Sequence, residues 1–241
     1  MIMSYLSLLI KRLQLFVFGA RHGVSFAWLS KKMVIYPNLQ SLQESSEREF
    51  ARLSEIEIEA NQVYEAIVVA KSGLVTNKNW DAEKSLCVLL YAHILQHRPR
   101  TIVETGVANG ITTNVIMAAL EQTGGQLHSY DILPSAESVY TGTGHWTFHL
   151  LRSRNRFKEM SASAGALGPV QLWIHDSNNG YTWQKFEYGF AFEVLDSPGW
   201  LISDDIDASP AFGEIAEHSG IHSFGLVDKR KLIGVARRTF T

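Results

Sequence analysis

The stretch Val103-Glu104-Thr105-Gly106-Val107-Ala108-Asn109-Gly110-Ile111-Thr112 constrains the fold of this chain more than any other. A short apolar run from Thr101 to Val103 leads into an acid. Two glycines follow, four residues apart, and then a helical pattern begins. That order describes a strand that turns through a glycine corner into a helix N-terminus, where bare backbone can approach a nucleotide-like ligand. Downstream, Gln126 to Tyr130 reads as a second strand that ends at Asp131. An acid at the tip of the second strand can accept hydrogen bonds from both hydroxyls of a ribose.

The pattern keeps alternating. After the helix at 111–121, closed by Gly124-Gly125, strands are expected at 126–130, 146–151, 170–174 and 200–203, with helices at 156–162 and 183–195 between them. Strand–helix alternation of this kind argues for an open, mostly parallel sheet with helices on both faces, a three-layer α/β sandwich. At the C-terminus, 222–227 and 231–236 flank Asp228-Lys229-Arg230. That spacing predicts a hairpin, and so an antiparallel strand added to the sheet. Before the first strand, apolar residues recur at helical spacing over 44–71, ending at Gly73, and over 81–97, ending at Pro99. The chain thus divides into a basic, apolar segment (1–43), a helical extension and lid (44–98) and a core (99–241).

Met1 to Gln43 holds five Lys/Arg (Lys11, Arg12, Arg21, Lys31, Lys32) and no acid. Its apolar run from Tyr5 to Ala20 is interrupted by Lys11, Arg12 and Gln14, and falls short of the about 20 apolar residues of a spanning helix. The basic pair inside the run also speaks against a signal peptide. The alternatives are a helix packed on its own domain, a homo-oligomer contact, and peripheral contact with a membrane surface. Net charge is −2, which gives no global argument for nucleic acid. The single cysteine, Cys87, excludes an internal disulfide and suits a reducing, cytoplasmic setting; its place in a helical pattern makes it a small buried residue.

Ligands of open α/β sheets lie beyond the C-terminal strand ends. Those ends are Glu104 to Gly110, Asp131, His175-Asp176-Ser177 and Asp204-Asp205. Polar residues gather at this one edge while the strands behind them are apolar, which marks it as the site.

On these residues the chain resembles class I S-adenosylmethionine-dependent methyltransferases. Val-Glu-Thr-Gly-Val-Ala-Asn-Gly (103–110) is similar to their glycine-rich first motif, and Asp131 stands where their ribose-binding acid stands. Trp-Ile-His-Asp-Ser-Asn-Asn-Gly-Tyr (173–181) and the Asp-Asp pair at 204–205 resemble a bacterial subgroup with a His-Asp-Ser-x-His-x-Tyr segment and an Asp-Asp motif. The likeness covers about 81–238. It implies a seven-stranded Rossmann-like sheet and S-adenosylmethionine as cofactor. Glu104, Gly106, Ala108, Gly110, Asp131, Ile132 and Asp176 would then lie around that cofactor. Glu104 would fix the loop or meet the ammonium group, and Ile132 would line the adenine pocket. The spacing Gly-x-x-x-Gly lacks the third glycine of a nicotinamide-binding Rossmann motif, the competing oxidoreductase reading.

Methyl transfer to oxygen needs a proton removed from the acceptor. His175 and Asp176 are the candidate catalytic pair, a histidine near its ordinary pKa being suited to the task. The subgroup's second histidine is replaced by Asn179, which cannot act as a base. Asp176, Asp204 and Asp205 form a candidate Mg²⁺ site, since carboxylates gathered at strand tips repel one another unless protonated, paired or metal-bound. The resemblance to cation-dependent catechol-type enzymes points the same way, with Asp205 where those have Asn and the register at 175/176 open by one residue. The expectation is O-methylation of a small-molecule or sugar hydroxyl. A non-catalytic assembly partner with the same fold is the alternative that Asn179 suggests.

Overall fold

A computed structural model describes residues 23–45, 50, 52–72, 81–229 and 231–238. The apolar run at 5–20 and the lid expected at 73–80 lie outside the described residues.

The chain opens with a short helix α1 (Phe26–Leu29), capped by the Ser25 side chain, then strand β1 (Val34–Tyr36) and helix α2 (Leu39–Gln43), capped by Asn38. Two longer helices follow, α3 (Leu53–Lys71) and α4 (Lys84–His97). The alternating part comprises β2 (Thr101–Thr105), α5 (Ile111–Thr123), β3 (Gln126–Asp131), β4 (Trp146–Leu150), α6 (Arg156–Gly165), β5 (Val170–His175), α7 (Tyr181–Val194) and β6 (Leu195–Ser203). Helix α8 (Ala211–Ala216) then leads into the hairpin β7 (Ile221–Asp228) and β8 (Lys231–Arg238).

The strands form one sheet in the order β1-β7-β8-β6-β5-β2-β3-β4. All neighbours run parallel except those of β8, which is antiparallel to both β6 and β7. The mostly parallel α/β sandwich with its reversed C-terminal strand is as the sequence predicts. The sheet nevertheless has eight strands, not seven. β1 pairs with β7 through Val34, Ile35 and Tyr36 and closes its edge. Three residues are too few to show a period of two, so nothing in the sequence announces this strand. The helix expected from residue 44 begins at Leu53, after the separate turn of α2.

Side chains alternate across each strand. Ile102, Leu127, Leu172, Ile174, Ile202, Phe224, Ile233 and Val235 face a core shared with α3, α4 and α5. Val103, Tyr130, Trp173, Leu201 and Leu232 face a second core shared with α7 and α8. Helix α4 is buried from Leu86 to Ile94 without a break. It lies between the sheet on one side and α3 on the other, so it needs no polar face. Cys87 is fully buried there, as its pattern predicts. The same alternation delivers successive residues at a strand tip to opposite sides of the sheet, so only every second one can reach a given crevice.

Candidate functional site

The corner after β2 is held in a sharply wound shape. Gly106, Ala108 and Gly110 all have positive φ, 82°, 45° and 78°. A Cβ on Gly106 would lie 1.9 Å from the Asp176 carbonyl oxygen, and one on Gly110 would lie 2.5 Å from the Val139 side chain. Glycine is therefore required twice over at both positions, by conformation and by close packing of the next loop. This differs from the expectation that the glycines make room for a ligand; their missing side chains make room for the protein's own chain. Ala108 tolerates the left-handed region at some cost, strain of the kind that collects at functional corners.

Asp131, at the tip of β3, points into this corner. Its Oδ2 accepts hydrogen bonds from the Val107 and Ala108 N–H groups at 2.7 and 2.9 Å, and its Oδ1 accepts one from Leu133 N–H at 2.8 Å. The wound loop makes a nest of N–H groups, and the carboxylate fills it. Next to it, Ile132 is 49% exposed, an apolar side chain left open beside the corner.

Glu104 is completely buried. Even residues of β2 face α5, so its Oε2 accepts from Thr113 Oγ1 at 2.8 Å and from Ser129 Oγ at 2.6 Å. Its Oε1 is buried without any partner among the described residues. Burial pushes the carboxyl up to about 7, although both hydroxyls pull it down. A buried oxygen with no donor is costly unless a ligand supplies one. A cationic donor, such as the ammonium of an amino-acid moiety, suits this atom.

The tips of β5 and β6 complete the edge. Asp176, Asp204 and the lysine that opens β8, Lys231, belong to the same strand faces as Ile174, Ile202 and Ile233, and so to the side of the sheet that carries Glu104. Asp176 stands next to the glycine corner, with Thr112 Oγ1 3.5 Å from its Oδ2. Asp204 is 1% exposed and forms an ion pair with Lys231 through Oδ2, while its Oδ1 has no partner among the described residues. Burial and the nearby Asp204 hold the Asp176 carboxyl well above the usual carboxylate range. Burial and Asp205 push Asp204 up to about 6, against the pull of Lys231. Burial works against the charge of Lys231, but Asp204, Asp176 and Asp205 together raise its pKa.

Two of the expected roles do not survive this geometry. His175 is one residue earlier than Asp176 and so faces the other side of the sheet. It is fully buried, with Nδ1 2.9 Å from Glu187 Oε2 and its ring edge-on to Tyr188. Glu187, also fully buried, accepts in addition from Trp173 Nε1 at 2.9 Å, Trp183 Nε1 at 2.7 Å, Ser177 Oγ at 3.2 Å and Thr105 Oγ1. His175 thus fixes α7 to the sheet and does not reach the crevice, which corrects its place in the catalytic pair. The metal expectation also fails to fit. Among the described residues no three His, Cys, Asp or Glu side chains are grouped to hold an ion. Lys231 sits on Asp204, and Asn179 Nδ2 donates to Asp205 Oδ2 at 3.0 Å.

Of the candidates from sequence, Glu104, Gly106, Ala108, Gly110, Asp131, Ile132 and Asp176 are gathered at one edge, with Asp204 and Asp205 beside them and His175 behind. Lys231 and Glu187 were not foreseen. A period of two from Ile233 and Val235 already sets Lys231 on a buried face, and Glu187 falls on the apolar stripe of α7 between Trp183 and Tyr188.

Residues 103–206 match the family model of a methyltransferase domain. None of the curated proteins matches the chain by sequence. Among solved structures, an O-methyltransferase from Bacillus cereus in complex with SAH is similar to it with a TM-score of 0.61 at 10% identity, covering 78% of this chain and 96% of that one. The O-methyltransferase TomG from Streptomyces achromogenes, involved in tomaymycin synthesis and solved with SAM, gives 0.55 at 12% identity, covering 83% and 94%. An SAH-bound methyltransferase from Podospora anserina gives 0.56 at 11%, covering 81% and 97%. At these identities the structural likeness is one of fold. Residues 103–206 thus match a methyltransferase domain, and the chain shares the fold of these structures. The matched segment begins within β2 and ends just past Asp204-Asp205, so it spans the edge from the glycine corner to the acidic pair.

Proposed function

We propose that this protein transfers the methyl group of S-adenosylmethionine to a hydroxyl oxygen of a small molecule or sugar. The observation that carries the reading is a pair of buried carboxylate oxygens without partners among the described residues, Glu104 Oε1 and Asp204 Oδ1, on one face of the sheet and at its C-terminal edge. Each asks for a donor from a ligand. Glu104 would take the ammonium of the cofactor, Asp131 would order the corner and meet the ribose, and Ile132 would cover the adenine. Bound there, S-adenosylmethionine supplies a methyl carbon already activated by positive sulfur. The protein's task is then alignment of the acceptor and removal of its proton. Asp176 is the carboxylate beside the corner that can take that proton. That the similar structures include O-methyltransferases supports oxygen as the acceptor atom.

Calorimetry with S-adenosylmethionine and S-adenosylhomocysteine, followed by transfer of labelled methyl to a panel of phenolic, sugar and macrolide-type hydroxyls, tests the reading. Binding with turnover on a hydroxyl is the expected result. Binding without turnover on any acceptor would favour the non-catalytic assembly partner, and a spectral response to NADH without sulfonium binding would favour an oxidoreductase.

A further inference from the structure

The acidic edge contains a cation supplied by the chain itself. β8 runs antiparallel to β6, and Ile206 N–H donates to the Leu232 carbonyl at 3.0 Å, so the start of β8 lies against the segment that comes after β6. Lys231 is the first residue of β8 and keeps only 12% of its side chain exposed. From there its ammonium reaches Asp204 Oδ2, while Oδ1 of the same carboxylate stays buried without a partner among the described residues. Asp205 is held separately by the Asn179 amide. The position next to Asp204 that a divalent ion would need is filled by Nζ.

We propose that the Lys231 ammonium takes the place of a divalent cation at this edge, neutralising Asp204 and holding the acceptor oxygen beside its free Oδ1, so that the protein works without a metal. The proposal rests on the methyltransferase reading. An ammonium brings three donors and a single charge without a fixed coordination shell. With one donor committed to Asp204, others remain for a ligand oxygen. Unlike Mg²⁺, which demands near-octahedral oxygen ligands, it makes no such demand on Asp176 and Asp205. This accounts for carboxylates at three strand-tip positions that are not grouped as metal ligands.

Electron paramagnetic resonance and thermal melts with Mn²⁺, on the full chain, test this. The parent protein should bind no Mn²⁺ at this edge and melt at the same temperature with or without it. Lys231→Ala leaves Asp204 buried and uncompensated, so it should gain Mn²⁺ affinity by roughly tenfold or more. Lys231→Arg should behave as the parent does, and Lys231→Ala with Asp204→Asn should lose the gain. If Lys231→Ala folds only in Mn²⁺, the same result is read through stability. Parent protein that binds Mn²⁺ through Asp204 would overturn the proposal. So would a Lys231→Ala chain indifferent to Mn²⁺, folded or unfolded. S-adenosylhomocysteine binding, measured in parallel, is a separate readout. Its absence in the parent would sink the methyltransferase reading and leave the Mn²⁺ comparison standing.

Discussion

Replacing Glu104 with glutamine separates the cost of burying a charge from the use made of it. The carboxyl titrates at 4.5 when free and at about 7 in the fold. The folded protein therefore holds this proton more tightly than the unfolded chain does. Its contribution to stability is fully present below about pH 4.5 and is lost as pH rises through about 7. At about 1.4 kcal/mol per tenfold in proton affinity, the loss by pH 8 is about 3 kcal/mol, against less than about 1 kcal/mol at pH 5. Glutamine carries no charge at either pH. It can keep the Thr113 and Ser129 hydroxyls as partners, but it puts an amide N–H where Oε1 is buried alone, at a cost of about 1 kcal/mol or more. Glu104→Gln apoprotein should thus match the parent near pH 5 and exceed it by about 2 kcal/mol at pH 8. Urea unfolding across this pH range, without cofactor, measures the difference. Cofactor binding should move the other way, because a neutral amide cannot pair with an ammonium. Calorimetry with S-adenosylhomocysteine at pH 8 should show weakening of tenfold or more, about 1.4 kcal/mol. A variant no more stable than the parent at pH 8, or one that binds equally well, would refute the reasoning that Oε1 waits for a cationic donor.

Three further substitutions probe the same geometry. Asp131→Ala strips the acceptor from Val107 N–H and Ala108 N–H, so cofactor affinity should fall by about 1–3 kcal/mol. Unchanged affinity in the calorimeter would remove Asp131 from the site. Glu187→Gln breaks the buried pair with His175 and should cost about 3 kcal/mol or more in urea unfolding; a loss below about 1 kcal/mol would mean that the network does not hold α7. His175→Gln should act through stability alone, with cofactor affinity kept in the folded fraction; weaker calorimetric binding by folded protein would return His175 to the site.

Much of this was legible in the sequence, for a definite reason. The strand–helix order from Thr101 to Ser203 follows from periodicity and glycine punctuation, which are local signals. The corner residues Glu104, Gly106, Gly110 and Asp131 lie in two short stretches, and the parallel register of β2 with β3 brings them together. What was not legible depends on non-local facts. Whether His175 or Asp176 faces the crevice turns on one residue of register, and a slip of one exchanges the two faces. The cation at Asp204 comes from 27 positions further along the chain, on a strand that returns in the opposite direction. Three carboxylates read alone suggest Mg²⁺, but the sequence does not say that a lysine will fold back onto them. β1 is too short to carry a pattern, and only the free edge of β7 gives it a place.

That edge bears on how the protein can be dissected. A fragment begun at residue 99 would keep every residue of the proposed site and still be poorly behaved. It would lack Val34, Ile35 and Tyr36, leaving β7 with a bare row of N–H and C=O groups along Phe224, Gly225 and Leu226, and it would strip α3 and α4 from the core that Ile102, Ile174 and Phe224 share with them. Open strand edges flanked by apolar side chains recruit copies of themselves. Insoluble, self-associating material is the expected yield of such a truncation, and restoring β1, α3 and α4 to the chain should relieve it.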